Sequence, residues 1–554
     1  MCAYNAINGT FCAENKLLLT DILRDEWHSD AFVVTDWGAV KDRAKGVAAG
    51  LDLEMPGGPN ATGEEIVEAV RQGTLAEADL DKTVLRLLQF VKDCVDQRKP
   101  DAAIDRNACR KLARKLAGEC AVLMKNENEI LPLKENQKVA FIGEFAEKPR
   151  YQGAGSSHIN VLHAVSALET AGDAVLYARG YDAHSATTDE ALLKEAIEAA
   201  KKVDIVVIFA GLPDAFETEG ADREHMRLPD NQNDLIQAVS KANPNTVVVL
   251  HGGSPVELPW LNQVPALLCV YLGGEQVGAA TVDLLYGKVN PSGHLAETWP
   301  IRLQDNPSYL NFPGEEGVVT YAEGIFVGYR YYDKKDMPVN FCFGHGLSYT
   351  QFEYAHLKLD KESVTDQDTL TVSVDVKNIG SVAGKAAVQL YLSDKESTVR
   401  RPVRELRAFE KVSLQSGETK TVTFTLDKRA FAYWEPKCHD FYVESGEFVI
   451  EIGESSRDIR AAQSVRVEGT TLLAFTVTEQ TTIGKLLKHP KGKVIIGNMM
   501  RSSAMSHVDQ TDTMGEGSER MMQGMTMGIP LGALVSYGRL TRKQLKDLIA
   551  TLNA

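Results

Sequence analysis

The sequence predicts a multidomain protein of the α/β-plus-β class, and three observations carry that expectation. The chain has 554 residues, enough for roughly three or four domains that each bury a core. From residue 107 to about 300, apolar β-rich runs alternate with amphipathic helical stretches. From residue 352 to 464 the texture changes to short segments in which apolar and polar residues alternate.

Composition narrows the functional classes before any motif is read. With 44% apolar and 25% charged residues, the chain has the balance of an ordinary globular protein. Its formal net charge of −16, with no basic stripe, argues against nucleic acid as a partner. No apolar run is long enough to cross a bilayer, so a membrane partner is not expected either. The cysteines Cys2, Cys12, Cys94, Cys109, Cys120, Cys269, Cys342 and Cys438 are scattered, without CxxC pairs or metal-ligand spacing. They read as free thiols of a reducing compartment, and cytoplasmic is the expected location. No secretory signal pattern opens the sequence.

The first hundred residues mix helix and strand signals. "AENKLLLTDILRDEW", "EEIVEAVRQG" and "DLDKTVLRLLQFVKDCV" place apolar residues at helical spacing. "FVVTDWGAV" reads as a buried strand, Phe32 to Thr35, that ends on Asp36 and Trp37. One convincing strand among several helices cannot form a sheet, so this block looks incomplete. The polar stretch "DQRKPDAAID" then reads as a linker.

In the next block "KVAFIGEF", "DIVVIFAGL", "TVVVLHGG" and "ALLCVYLGG" are near-continuous apolar runs that each end in a glycine turn. Separated by helices such as "TDEALLKEAIEAAKK" and "NQNDLIQAVSKA", they predict a mostly parallel sheet covered on both faces. Glycines at the strand ends put a ligand crevice there. A Pro- and aromatic-rich connection, 301–351, is expected to pack over its neighbours. Residues 352–464, with "LTVSVDVKNIG", "AAVQLYLSD", "KTVTFTLD" and "EFVIEIGES", predict a sandwich of about seven strands, immunoglobulin-like or fibronectin type III-like. In the tail, 465–554, eight of the thirteen methionines fall between Met499 and Met527. The tail closes with a helix capped by Thr541.

Two carboxylate positions draw attention as chemistry. Asp36 stands where a strand stops, and carboxyl ends of strands are where parallel sheets and barrels carry their sites. Its ordinary alternative is a turn-initiating aspartate. A second cluster, "FAGLPDAFETEGADREHMRLPDNQ", follows the strand "DIVVIF" and holds Glu217, Glu219 and Arg223. Its alternative is a solvated acidic loop. One carboxylate from each place would make the nucleophile and acid/base pair that glycoside hydrolysis needs. No G-x-S-x-G elbow points to a serine esterase.

The segments "MCAYNAINGTFCAENKLLLTDILRDEW", "FVVTDWGAV" and "AGLDLEMPGG" resemble the late part of the catalytic barrel of glycoside hydrolase family 3, the bacterial β-glucosidases among them. "YQGAGSSHINV", "ETEGADREHMRLPDNQNDLI" and "GHLAETWP" resemble that family's α/β sandwich domain. "FVGYRYYD", "FCFGHGLSYTQFEY" and "RPVRELRAFEKV" resemble the surroundings and body of its fibronectin type III-like domain. The resemblance implies a C-terminal remnant of a (β/α)8 barrel in 1–100 carrying the nucleophile, and an α/β sandwich in 107–300 carrying the acid/base. It implies a fibronectin type III-like domain in 352–464. Asp36 then resembles the nucleophile and Glu219 the acid/base, with Glu217 as the competing candidate. Tyr4, Trp37 and Met1 match positions lining the sugar site, and Ser156 a loop reaching it, unless "GAGSS" is only a turn. Arg223 is expected to position the Glu219 loop. The implied activity is retaining release of terminal β-D-glucose from β-glucosides and cello-oligosaccharides, on a small carbohydrate substrate and with no cofactor or metal.

The resemblance also carries a departure. Family members place most of the barrel ahead of the "YN" segment, including residues that grip the first sugar's hydroxyls. The expectation is therefore a chain lacking most of that barrel, with weak or no activity by itself. Its helices are expected to leave apolar faces for a second copy or a partner. Two alternatives stay open: a non-catalytic carbohydrate-binding or structural fragment needing a partner chain, and a β-xylosidase or other family 3 glycosidase.

Overall fold

Residues 1–58, 61–473, 475–487, 491–495 and 518–553 are described by a computed structural model of the chain. They fall into two units, Met1–Arg106 and Asn107–Ala554.

In the first unit, β1 (Ala6–Ile7) and β2 (Thr10–Phe11) form an antiparallel hairpin around Asn8-Gly9. Both turn residues have positive φ, 51° and 84°, the conformation a type I′ hairpin turn needs and the reason Asn-Gly suits it. The stretch Leu17–Glu26, expected as an α-helix, winds instead as a π-helix, and Trp27 N–H bonds to the Ile22 carbonyl five residues back. Three helices follow: α1 (Arg43–Ala49), α2 (Ala61–Arg71) and α3 (Glu77–Asp96). Asp42 caps α1 by accepting from Lys45 N, and Gly50 ends it in the left-handed region.

The strand expected at Phe32–Thr35 is a correction. The segment makes one parallel bridge on each side, Cys2 with Thr35 and Val34 with Leu53. Cys2 N–H bonds to Val34 O and Asp36 N–H to Cys2 O, while Thr35 N–H bonds to Leu53 O. The backbone is thus satisfied by single rungs rather than a ladder. Only Val33 and Thr35 are buried, the period-2 face of an extended segment. Small clusters hold the unit, chiefly Cys2, Ala13, Leu19, Val33, Val40, Ala49 and Leu51.

The second unit begins with α4 (Arg106–Cys120) and a six-stranded sheet. Its strands are β3 (Val122–Asn126), β4 (Val139–Ile142), β5 (Val175–Ala178), β6 (Ile205–Gly211), β7 (Thr246–His251) and β8 (Ala266–Cys269). The order is β3-β8-β7-β6-β4-β5, and every pair is parallel except β3 with β8. The helices α5 (Glu144–Glu147), α6 (Ala167–Ala171), α7 (Glu190–Ala200), α8 (Asp230–Ala242) and α9 (Val277–Leu285) lie between strands in the chain or follow the last. All residues of β6 and β7 are buried, as continuous apolar runs covered on both faces require. β6 ends at Gly211, φ +152°, where any Cβ would meet His251 O at 1.8 Å, so the two strand ends can close only over glycine.

The connection 301–351 contains a 3-10 turn at Leu303–Asp305 and the α-helix α10 (Tyr329–Lys334). Tyr329 stacks on Phe343 of the same connection at 4.6 Å, and it meets the β-rich region through Tyr391, edge-on at 6.4 Å, and a hydroxyl that accepts from Leu406 N at 2.9 Å. That region holds β9 (Phe352–Leu359), β10 (Ser363–Thr365), β11 (Leu370–Asn378), β12 (Gly384–Asp394), β13 (Glu405–Leu414) and β14 (Thr419–Leu426). After the small hairpin β15 (Tyr433–Glu435) and β16 (Asp440–Tyr442) come β17 (Gly446–Gly453) and β18 (Ile459–Glu468). A five-stranded sheet, β10-β18-β17-β12-β13, and a three-stranded one, β14-β11-β9, enclose an apolar core including Val374, Leu390, Phe448 and Ile450.

The tail packs a small core of Val477, Ile483, Leu486, Leu531, Leu534, Leu545 and Leu552. Its last helix, Arg542–Asn553, starts on a reciprocal cap: Gln544 N donates to Thr541 Oγ1, and Thr541 N donates to Gln544 Oε1. Of the methionine-rich stretch, 499–517 lies outside the described residues, and Met521 and Met525 are exposed.

Candidate active site

In the first unit the sequence places Asp36 at the end of the bridged segment, and the following turn exposes it. Thr35 is fully buried, and its hydroxyl accepts from Met55 N at 2.8 Å, which holds the backbone next to Asp36. Gly38, φ +75°, returns the chain so that its N–H bonds to Met55 O. Two donors converge on one carboxylate oxygen: Tyr4 Oη donates to Asp36 Oδ1 at 2.8 Å, and Trp37 N donates to the same atom at 2.7 Å. The Trp37 ring, Tyr4 and Met1 are all solvent-facing. Tyr4 and Asp36 are therefore brought together across 32 residues of sequence.

A residue the sequence reading passed over lies beneath them. Asp52, inside "GLDLEMPGG", has a fully buried side chain and collects three donors. Arg24 Nη2 reaches Oδ2 at 3.0 Å, Val33 N the same oxygen at 2.8 Å, and Arg86 Nε reaches Oδ1 at 2.5 Å. A buried carboxylate needs such partners, and here they tie three separate stretches to the segment bearing Asp36. The signal available in sequence was an aspartate set between two leucines, Leu51 and Leu53.

In the second unit the carboxylates stand on the loop after β6, at the carboxyl ends of the parallel strands. Thr218 and Ala221 pair as an antiparallel bridge, so Glu219-Gly220 form the tip of a tight turn, with Gly220 at φ +79°. Glu219 Oε2 accepts from Ser156 N at 2.6 Å, and Glu219 N donates to Ala154 O at 3.3 Å. Gly155 lies between, at φ +85°, and a Cβ there would meet the Glu219 Cβ at 2.6 Å. Only glycine lets the "GAGSS" loop seat this glutamate. Ser156 thus meets Glu219 through its backbone N–H.

Glu217 faces a different loop. Its Oε2 accepts from Gly253 N at 2.8 Å and its Oε1 from Ser254 Oγ at 2.6 Å, both after β7. Arg223 Nη1 donates to Ser254 Oγ at 2.8 Å and to Pro255 O at 3.0 Å. Burial lowers the Arg223 pKa, opposed by the nearby charges of Glu217, Glu257 and Glu297. Burial also raises the Glu297 carboxyl, against the pull of Arg223 and with the push of Glu217. At the root of the loop, Arg150 Nη2 donates to Glu217 O at 3.0 Å and its Nη1 pairs with Asp214. His251, fully buried at the end of β7, bonds through Nδ1 to Arg150 O at 3.0 Å. Burial holds its pKa down to about 4. A pocket of about 610 Å³ opens beside these groups, lined among others by Glu217, Arg223, His225, Ser254, Glu297 and Tyr332. Among the described residues no cluster of His, Cys, Asp and Glu has the makings of a metal site.

Each unit thus presents a held carboxylate, the residue type that acid/base or nucleophilic chemistry on a glycosidic bond uses. Comparison with known proteins agrees. The glycosyl hydrolase family 3 N-terminal domain pattern matches residues 1–90, its C-terminal domain pattern 121–329, and a fibronectin type III-like domain pattern 386–456. Thermostable β-glucosidase B of Acetivibrio thermocellus is 48% identical over 561 residues, spanning 100% of this chain and 74% of that protein. An exo-α-(1→6)-L-arabinopyranosidase of Bifidobacterium breve is 43% identical over 514 residues, 90% of this chain and 67% of that one. The crystal structure of the Bifidobacterium adolescentis family 3 β-glucosidase superposes with a TM-score of 0.84 at 42% identity, over 90% of this chain and 73% of that one.

Proposed function

Because the chain belongs to glycoside hydrolase family 3, we propose that it releases terminal β-D-glucose from β-glucosides and cello-oligosaccharides with retention of configuration. In this reading residues 1–100 are part of a (β/α)8 barrel that carries the nucleophile. Residues 107–300 are the α/β sandwich that carries the acid/base, and 352–464 the fibronectin type III-like domain. Asp36 attacks the anomeric carbon through Oδ2, since Tyr4 Oη and Trp37 N both bind Oδ1. The Oδ2–C1 bond forms as the bond from C1 to the aglycone oxygen breaks, and Glu219 gives that oxygen its proton. Glu219 then takes a proton from water, which attacks C1 and releases Asp36. Tyr4 fixes the carboxylate's orientation, and Trp37 and Met1 offer apolar surface to the sugar.

The observation that carries the reading is the convergence of two donors on Asp36 Oδ1 in a chain of this family. Glu219 is preferred to Glu217 because it stands exposed at the tip of the turn bridged by Thr218 and Ala221, whereas Glu217 lies on the leg bound to Gly253 and Ser254, as suits a structural carboxylate. The test is turnover of aryl β-D-glucosides and β-D-xylosides by the purified chain, expected to be weak for this part of the barrel alone, with Asp36→Asn as control. The substitution is expected to lower kcat by on the order of 10⁴-fold, and turnover that survives it would sink the assignment.

A second substrate reading rests on the arabinopyranosidase relative, so aryl α-L-arabinopyranosides belong in the same panel. A higher kcat/KM on them than on glucosides would replace glucose in the proposal. The exposed apolar side chains of α3, Leu85, Leu88 and Val95, support a second copy of the chain or a partner over that face. Sedimentation of the purified chain as a monomer would count against self-association. The eight free cysteines support a reducing, cytoplasmic setting.

A further inference from the structure

We propose that Ser254, on the loop after β7, is a positioning residue for the acid/base step, an inference that rests on the reading of Glu219 as acid/base. Ser254 is where the two legs of the Glu219 hairpin are fastened. Its hydroxyl donates to Glu217 Oε1 at 2.6 Å, on the ascending leg, and accepts from Arg223 Nη1 at 2.8 Å, on the descending leg. Between those legs lie only Thr218, Glu219, Gly220, Ala221 and Asp222, with Thr218 and Ala221 bridged. One hydroxyl thus serves as donor to one leg and acceptor from the other, a role that fits serine and threonine alone among small side chains.

The backbone supports the same role. Gly253 N–H also binds Glu217, and Arg223 holds Pro255 O, so the hairpin is bound to a loop that leaves a fully buried strand. The tip has its own contact to the 154–156 segment through Ser156 N and Ala154 O. Loss of Ser254 Oγ removes the link shared by both legs and leaves Glu217 and Arg223 each short of a buried partner. The glutamate then samples orientations from which it cannot reach a leaving-group oxygen, and positioning at this scale governs general-acid efficiency. Ser254 itself transfers no proton and forms no bond to the sugar.

The distinguishing readout is dependence on the leaving group. Ser254→Ala is expected to lower kcat/KM for phenyl β-D-glucoside, which reports the glycosylation step alone, by about 10²-fold. For 2,4-dinitrophenyl β-D-glucoside, which departs without a proton, the loss in kcat/KM should be under about 3-fold. Ser254→Thr should restore most of the phenyl glucoside rate. Equal losses on both substrates, or no loss, would overturn the proposal. Glu219→Ala is the control for the underlying reading: a glutamate that is not the acid gives no leaving-group split in that variant, whatever Ser254→Ala does.

A measurement independent of turnover tests the clamp itself. In amide hydrogen exchange, Ser254→Ala should accelerate the Glu219 and Ser156 amides by about tenfold and leave those of β6 unchanged. Unchanged exchange at Glu219 and Ser156 would overturn the proposal even for a chain that turns over no substrate.

Discussion

Strand β6 and helix α3 carry equally clear apolar patterns, yet they end in opposite surroundings. All seven residues of β6 are buried between helices and neighbouring strands. In α3, Leu85 is 67% exposed, Leu88 60% and Val95 66%. Periodicity therefore specifies which element forms and which face is apolar, and burial of that face depends on a surface to meet it. The two candidate carboxylates repeat the contrast. Asp36 sits on a segment held by single backbone rungs over the buried Asp52, whereas Glu219 sits on a hairpin fastened mainly by side chains to a deeply buried sheet.

The contrast can be broken or sharpened by substitution, from large effects to small. Phe209→Ala in β6 removes a fully buried ring packed edge-on against Phe141 at 5.0 Å, and urea unfolding should show a loss of about 3–5 kcal/mol. Asp52→Ala leaves Arg24 and Arg86 without their carboxylate, and a loss of similar size, about 3–5 kcal/mol, is expected in the unfolding of residues 1–106. A loss below about 1 kcal/mol would show that the pairing beneath Asp36 behaves as a surface ion pair.

His251 gives the next effect, as a pH dependence. Its folded pKa of about 4 lies below the ordinary value of 6.5, so between those values the unfolded chain binds the proton and the folded chain does not. Stability is then fully present above about pH 6.5 and falls as pH drops toward 4, by about 3 kcal/mol from this group. His294, also held near 4 by burial, adds a fall in the same window. Urea midpoints measured from pH 7 to pH 4 should flatten in part in His251→Gln, and an unchanged slope would refute the assignment.

Gly155→Ala meets the Glu219 side chain and a positive φ at once, for about 1–3 kcal/mol and a displaced Glu219. The same substitution should reduce kcat/KM for phenyl glucoside more than for dinitrophenyl glucoside. At the small end, Leu88→Ala on α3 should change stability by no more than about 0.5 kcal/mol. A larger loss in a concentration-dependent unfolding curve would reveal a partner on that face.

Legibility in the sequence follows the same physics. β4, β6, β7 and β8 announce themselves as apolar runs ending in glycine or a turn. The edge strands β3 and β5 do not: β5 buries one residue of four, and β3 runs straight on from α4 with no turn signal. The strand expected at Phe32–Thr35 has the composition of β6 without neighbours that pair for more than one rung. At the site, Asp36, Tyr4, Glu219 and Ser156 stand in distinctive motifs. Asp52 lies in "AGLDLEMPGG", but its role, like that of Ser254, is not legible there, because it depends on partners 28, 34 and 37 residues away: Arg24, Arg86 and Glu217.

The most direct test of the account is to trap the glycosyl-enzyme. Incubation with 2-deoxy-2-fluoro-β-D-glucosyl fluoride, followed by proteolysis and mass spectrometry, should place the fluoroglucosyl group on the peptide that contains Asp36, and Asp36→Asn should abolish the label. A label on any other carboxylate, or turnover undiminished in Asp36→Asn, would contradict it.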